Sequence, residues 1–166
     1  MKRLLLLAFA PAVAALVIAG CGGGGSGSGS TQQSNTQSNA AAPSGAAPTV
    51  SLRKLNVGNA LVDSQGRTLY LFEADKGPMS TCNGACASLW PPDMTSGKPK
   101  AGPGVDAAKL GTTKRSDGTL EVTYNGHPLY RYAPDTKAGE DAGQGLNQFG
   151  AKWYVLAASG SKIDSD

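Results

Sequence analysis

The chain is poor in the side chains that most catalysis depends on. It has one histidine, His127, and three cysteines among 166 residues. A structural zinc site needs four ligands, and a single histidine with one spare cysteine pair does not supply them. The folded part holds no Gly-x-Ser-x-Gly elbow and no Gly-x-x-x-x-Gly-Lys-Ser/Thr loop, which excludes the common serine-hydrolase and phosphate-cradling designs. Gly143-Gln-Gly145 lacks the strand–helix setting of a dinucleotide loop. His127 could act as a base, but no nucleophile can be paired with it. These absences make a non-enzyme the better reading. No long stretch after the first twenty residues carries helical periodicity, so a helix bundle is excluded as well.

Apart from Pro43 and Pro48, residues 22–49 hold no apolar side chain larger than alanine. Such a segment cannot bury enough surface to offset its ordering entropy, and it reads as a disordered Gly/Ser/Ala tether. Before it, Lys2 and Arg3 precede the apolar run "LLLLAFAPAVAALVIA", which ends at Ile18-Ala19-Gly20-Cys21. A charged start, a short apolar run and small residues form a signal peptide over 1–20. The final four residues resemble a bacterial lipobox, where lipoprotein signal peptidase cuts before a diacylglycerol-bearing cysteine. The competing membrane helix is disfavoured by the short run and by Pro11. Cys21 is therefore the expected lipidation site. Each buried acyl CH₂ contributes about 0.8 kcal/mol, and more than one chain makes the anchor durable. As a coil the tether would span roughly 30 Å. The domain is thus expected in the bacterial cell envelope, outside the cytoplasmic membrane.

Removing Lys2 and Arg3 takes the formal charge from +3 to +1, thirteen bases against twelve acids. A domain so nearly neutral has no electrostatic footprint for nucleic acid. The expected partners are the membrane, through the acyl chains, and a small ligand or envelope protein. No cofactor is indicated.

One phrase occurs twice. "GRTLYLFEAD" (Gly66 to Asp75) and "GHPLYRYAPD" (Gly126 to Asp135) both read Gly-x-x-Leu-Tyr-x-aromatic-x-x-Asp, sixty positions apart. The second is preceded by the alternating "TLEVTY", and Asn125-Gly126 is a strong two-residue hairpin signal. That turn sets Val122 opposite Leu129 and puts Tyr130 and Tyr132 on the other face. Gln65-Gly66 read the same way sets Val62 opposite Leu69, with Tyr70 and Phe72 on the other face. A lone hairpin is marginal in water, but two can cover each other. Between the phrases the sequence allows one helical turn at 85–89 stopped by Pro91-Pro92, a short helical piece at 106–110 and a strand near 111–114. A last strand lies in "KWYVLAA". The fold class is all-β: two related antiparallel hairpins with long loops over 50–157, copies near 57–92 and 117–156, and a flexible tail at 158–166.

These residues resemble the bacterial lipoproteins described as a "secreted repeat of unknown function", which carry a Tyr-x-aromatic-x-x-Asp motif. The matching pieces are the two phrases, "STCNGACASLWPP", "DGTLEVTYNGHPLYRYAPD", and "GQG" followed by Trp153. The family often has Gly-x-Trp near the end; here Ala151-Lys152 precedes the tryptophan. The resemblance implies a secreted lipoprotein and no established activity.

With Cys21 lipidated, Cys82 and Cys86 remain as an even pair in an oxidising compartment, which favours a structural disulfide over a redox or metal pair. Three intervening residues fit neither the thioredoxin spacing nor haem attachment. So small a ring restricts the unfolded chain by only about 2 kcal/mol. The candidate motif site is Tyr70, Phe72, Asp75, Tyr130, Tyr132 and Asp135. The aspartates read first as turn carboxylates accepting backbone N–H groups. Asp75 and Asp135 as a shared cation site, joined by Glu73, Glu140 and Asp141, is the weaker alternative, since cation cages need more oxygens. The aromatics, with Trp90 and Trp153, read as core before ligand platform, and His127 as an exposed residue past its turn. The leading function is a non-enzymatic envelope lipoprotein that binds a ligand or partner. The alternative is a redox or metal role using the cysteine pair or the two aspartates.

Overall fold

The computed structural model describes residues 49–164, all within one unit. The expected signal peptide, Cys21 and the expected tether up to residue 48 lie outside the described residues, as do 165 and 166. Among those described, no helix is long and apolar enough to cross a membrane.

The chain is all-β. Strands β1 (Thr49–Leu55) and β2 (Gly58–Val62) form an antiparallel hairpin. After β3 (Tyr70–Phe72) comes the single helical turn α1 (Ala85–Leu89). The short β4 (Met94–Thr95) and β5 (Lys100–Ala101) follow, then a 3₁₀ turn at Ala107–Lys109. The second copy begins with β6 (Leu110–Lys114) and β7 (Leu120–Tyr124), again an antiparallel hairpin. It continues through β8 (His127–Pro128), β9 (Asn147–Gln148) and β10 (Ala151–Val155). β1 extends one sheet by pairing in parallel with β5.

The motif hairpin of the second copy, β7 with β8, turns on Asn125 and Gly126 at φ 50° and 81°. Two positive φ values make the mirror-image turn that suits twisted strands, and Asn-Gly tolerates it. Thr123 faces Pro128, and the Leu129 amide bonds the Val122 carbonyl, the expected register. The motif hairpin of the first copy, β2 with the segment after Gly66, corrects its expected register: Val62 bridges Thr68, not Leu69. Asp63 is the cause. Its backbone pairs with Arg67, its carbonyl accepts from the Gly66 amide, and Gly66 takes φ 77°. This is the three-residue loop ending in a left-handed glycine. The Asp63 carboxylate holds it shut by accepting from the Gln65 and Arg67 amides and from the Arg67 guanidinium.

The two copies meet at Tyr70 and Tyr130, whose backbones exchange hydrogen bonds of 2.8 and 3.0 Å. Around this bridge each copy gives its last segment to the other. β10, from the second copy, pairs with β3 of the first, Trp153 opposite Phe72 and Val155 opposite Tyr70. Reciprocally, residues 89–93 of the first copy run along 129–133 of the second. Ala133 bonds Leu89, Arg131 bonds Pro91, and Asp93 bonds Leu129. Trp90 and Trp153 therefore occupy equivalent places, and the first copy's Trp-Pro-Pro segment does what β10 does for the other.

The hairpins separate two cores. On one side lie aliphatic residues with two tyrosines: Val50, Leu61, Leu69, Val122, Leu129 and Leu156 with Tyr124 and Tyr154 among them. On the other lie Tyr70, Phe72, Trp90, Tyr130 and Trp153 with both cysteines. Period-2 alternation produces this division, because successive residues such as Leu69 and Tyr70 point to opposite faces.

The C-terminal segment is a further correction. Residues 158–164 turn back on Gly160 (φ 85°) rather than trailing free. Leu156 bridges Lys162, the Ile163 amide bonds Val155, and Gln144 donates to the Ile163 carbonyl. Packing of Ile163 against the aromatic core supplies the apolar burial that orders it.

Candidate functional site

Each copy of the motif ends in the same turn: the Asp75 amide bonds Phe72, and the Asp135 amide bonds Tyr132. The expected backbone donors are present. Asp75 accepts from the amide and hydroxyl of Thr81 at 2.7 and 2.6 Å, and Asp135 from the Ala142 amide at 3.1 Å. The spacing of the motif also serves a second purpose that single-copy reasoning misses. Tyr130 donates to Asp75 at 2.6 Å, and Tyr70 donates to Asp135 at 2.5 Å. Each tyrosine thus latches onto the aspartate of the other copy. The aspartates sit three residues beyond the second aromatic because that offset carries them past the swapped strand to the opposite hydroxyl.

Both latches are buried, with Tyr70 and Tyr130 at 0 % exposure and Asp75 and Asp135 at 6 % and 5 %. Burial pushes both phenols well above their ordinary range, and the facing carboxylates add to the shift. Burial also raises the Asp135 carboxyl, against the pull of Tyr70 and the Ala142 amide. A hydrogen bond to a charged partner is worth about 1.5–3 kcal/mol net, and leaving such a group unpaired costs more.

The Tyr130 latch continues inward. Arg115 Nη1 lies 2.7 Å from Ser80 Oγ, and Ser80 Oγ lies 2.7 Å from Tyr130 Oη. Arginine only donates, so Ser80 accepts from it and passes its own proton toward Tyr130, whose proton is committed to Asp75. The direction Arg115 → Ser80 → Tyr130 → Asp75 is thereby set. Arg115 also pairs with Glu121 at 2.6 Å and donates to the Cys82 carbonyl at 2.6 Å. Glu121 is fully buried, and its Oε1 finds no hydrogen-bond partner among the described residues. Burial pushes its carboxyl up to about 7 even with Arg115 pulling down. Asp93, held near 6 by burial, is a second raised acid close by.

The aromatic residues gather into one array. Phe72 stacks on Trp153 at 4.0 Å, Trp153 on Trp90 at 3.9 Å, and Trp90 meets Tyr132 at 4.4 Å. Tyr70 and Tyr130 contact this column edge-on, at 5.3 Å from Trp90 and 5.2 Å from Trp153. Both indole N–H groups reach Gln148, one its side chain at 2.8 Å and one its carbonyl at 3.1 Å. Gly143 lies against the array so closely that a Cβ there would come within 2.8 Å of Trp90 and 2.9 Å of Tyr70.

The cysteines are bonded, S–S 1.96 Å, with Cys82 and Cys86 both buried against the aromatic core. Through the Cys82 carbonyl the disulfide loop also anchors Arg115. Glu73 lies at the surface, paired with Lys162 at 2.9 Å. Glu140 accepts from the Lys137 amide, and Asp141 from Asn56 at 3.4 Å. Four of the six motif residues form crossed pairs, Tyr70 with Asp135 and Tyr130 with Asp75, while Phe72 and Tyr132 pack on Trp153 and Trp90; Glu73, Glu140 and Asp141 go to other partners. Among the described residues no three His, Cys, Asp or Glu side chains gather as a metal site needs.

Sequence reasoning passed over Arg115, Glu121, Ser80, Thr81, Gln148 and Asp63. The available signal was Glu121, an acid inside the alternating run "TLEVTY" whose strand the fold buries on both faces. His127 is half-buried and borders a cleft of about 420 Å³ lined also by Leu71, Phe72, Glu73, Asp75, Lys76 and Lys162.

The model of the family described as "secreted repeat of unknown function" matches the chain twice, over residues 52–94 and 111–157. No curated protein and no solved structure matches it. The first match ends one residue beyond Asp93 and the second one beyond Leu156, so each matched unit contains the segment it gives to the other.

Proposed function

The chain belongs to the secreted-repeat family, and on that premise we propose that it is a non-enzymatic, lipid-anchored envelope protein. Its repeat pair is a rigid module that binds a small ligand or an envelope protein. Cys21 carries the acyl chains, and residues 22–48 give the domain its reach from the membrane. One observation carries the reading. The motif's tyrosines and aspartates are spent on holding the copies together, so binding falls to the surface they support. The cleft bordered by Lys76, His127 and Lys162 is the face assigned to it. Its volume falls in the range of small-ligand sites. Its wall is apolar at Leu71 and Phe72, and its rim carries both signs of charge, which suits an amphiphilic ligand or a short extended peptide.

Two measurements test this. Mass spectrometry of the native chain is expected to show an N-terminal acylated Cys21, and Cys21→Ala is expected to move the protein from the membrane to the soluble fraction. An unacylated wild-type chain overturns the anchor. For binding, a photo-crosslinking residue at Lys76 is expected to trap a partner in cells, and one at the exposed Lys114 is not. Equal trapping at both positions overturns the assigned face.

A further inference from the structure

The contacts that hold the two copies together also present a second chemistry. Buried tyrosine loses an electron readily only if its proton has somewhere to go, because a cationic phenol radical in a low-dielectric interior is costly. Two tyrosines here meet that condition. Tyr70 and Tyr130 each donate to a buried carboxylate, at 2.5 and 2.6 Å, and each touches a tryptophan. Neither Tyr124 nor Tyr154 has a carboxylate partner, and Tyr132 stands partly exposed at the end of the column. Tyr124 donates to the Ala158 carbonyl, and Tyr154 lies under the Lys162 ammonium, 4.2 Å from its ring centre. A carbonyl cannot keep the proton, and a cation disfavours a hole in the ring beneath it.

The tryptophans complete a route. Tyr132 is partly exposed at one end of the column, Trp90 and Trp153 are fully buried within it, and Phe72 closes the other end at the cleft. Ring-centre steps of 4.4, 3.9 and 4.0 Å put every neighbour in van der Waals contact.

We infer that the aromatic array is a one-electron relay and radical sink, in which Trp90 and Trp153 pass oxidising equivalents inward to Tyr70 and Tyr130. The oxidant is an outer-sphere one-electron acceptor, such as an oxygen-derived radical met outside the cytoplasm. It takes one electron from the tryptophan pair and is itself reduced. Tyr70 or Tyr130 returns one electron to the tryptophan as its phenolic proton crosses to Asp135 or Asp75. The O–H bond breaks, a carboxyl O–H bond forms, and a neutral tyrosyl radical remains beside a neutral acid. A one-electron reductant reverses the step, with the carboxyl proton returning to the phenolate oxygen. Burial, which already raises the Asp135 carboxyl, favours its role as proton acceptor.

The test uses photogenerated tris(bipyridine)ruthenium(III) as oxidant with freeze-quench electron paramagnetic resonance. Wild-type protein is expected to give a neutral tyrosyl signal. Tyr70→Phe/Tyr130→Phe made in a Tyr132→Phe background, which removes the solvent-facing phenol of the column, is expected to lose it, and Tyr124→Phe/Tyr132→Phe/Tyr154→Phe to keep it, with folding checked by near-ultraviolet circular dichroism. A signal that survives when Tyr70, Tyr130 and Tyr132 are all replaced in a folded chain overturns the relay. If that variant does not fold, the unmodified chain decides the matter: radical formation is expected to slow in deuterium oxide, and an unchanged rate overturns the proposal.

Discussion

Asp135 and Tyr70 are sixty-five positions apart, yet the pairing makes a quantitative demand on single substitutions. Tyr70→Phe leaves Asp135 with the Ala142 amide alone, and Asp135→Asn replaces a charged acceptor. Each change is expected to cost about 1–3 kcal/mol in urea unfolding. The pair should also couple: Tyr70→Phe with Asp135→Asn costs less than the sum, whereas Tyr70→Phe with Asp75→Asn adds. A same-copy latch would invert that pattern, so a double-mutant cycle settles the crossing. Gly143 is a second residue-scale case. Gly143→Ala sets a methyl into Trp90 and Tyr70 and is expected to cost about 1–3 kcal/mol as overpacking. The acids Glu121 and Asp93 set the pH response. Their folded carboxyls lie near 7 and 6, above ordinary values of 4.5 and 3.8. The folded state therefore holds protons that the unfolded chain has released, and stability falls as pH rises from about 4 to 7. Equilibrium unfolding across that window should show the decline, and Glu121→Gln should flatten it. A wild-type slope unchanged by that substitution would remove Glu121 as its source.

At the scale of elements, what was legible depended on whether the determining contact was local. The Asn125-Gly126 hairpin could be read because two residues specify both turn and register. The α1 turn was equally local, ended by Trp90-Pro91-Pro92. The first hairpin slipped because Asp63 closes a three-residue loop through its own side chain, a contact that Gln65-Gly66 does not announce. In the sequence, Pro91-Pro92 mark only the end of the α1 turn, and nothing there announces that residues 89–93 pair with the second copy. Prolines remove backbone donors, but the bonds from this segment to residues 129–133 use the carbonyls of Leu89, Pro91 and Pro92 and the amide of Asp93, none of which needs a prolyl N–H. The disulfide fixes the start of this segment and, through the Cys82 carbonyl, the buried Arg115. Cys82→Ser/Cys86→Ser is thus expected to cost about 2 kcal/mol in chain entropy. Hydrogen exchange should quicken at the amides of Trp90, Asp93 and Ala133 while the β1–β2 hairpin stays protected. Uniform loss of protection would mean that the disulfide staples the whole domain and not this segment.

For the whole molecule, duplication was visible in the repeated phrase, but the exchange of segments was not. Periodicity reports which face a residue takes, and it does not say which copy covers that face. The crossing has a consequence that a side-by-side pair would lack. The first unit without β10 exposes one edge of β3, and with it Phe72 loses its stacking partner Trp153. The second unit without the first loses residues 89–93, which leaves Tyr130 and Tyr132 bare, and loses Tyr70 from Asp135. Neither half retains a closed aromatic core, and halves of this size are already marginal for burial. Cutting the chain in the connection between the matched units should therefore yield two fragments, 49–102 and 103–164, that are each unfolded alone by near-ultraviolet circular dichroism. Mixed in equal amounts they should regain the native aromatic spectrum, with a midpoint that rises with concentration as expected for a bimolecular fold. If either fragment folds by itself with native aromatic ellipticity, its core is complete without the other copy and the crossed arrangement is not what stabilises the domain.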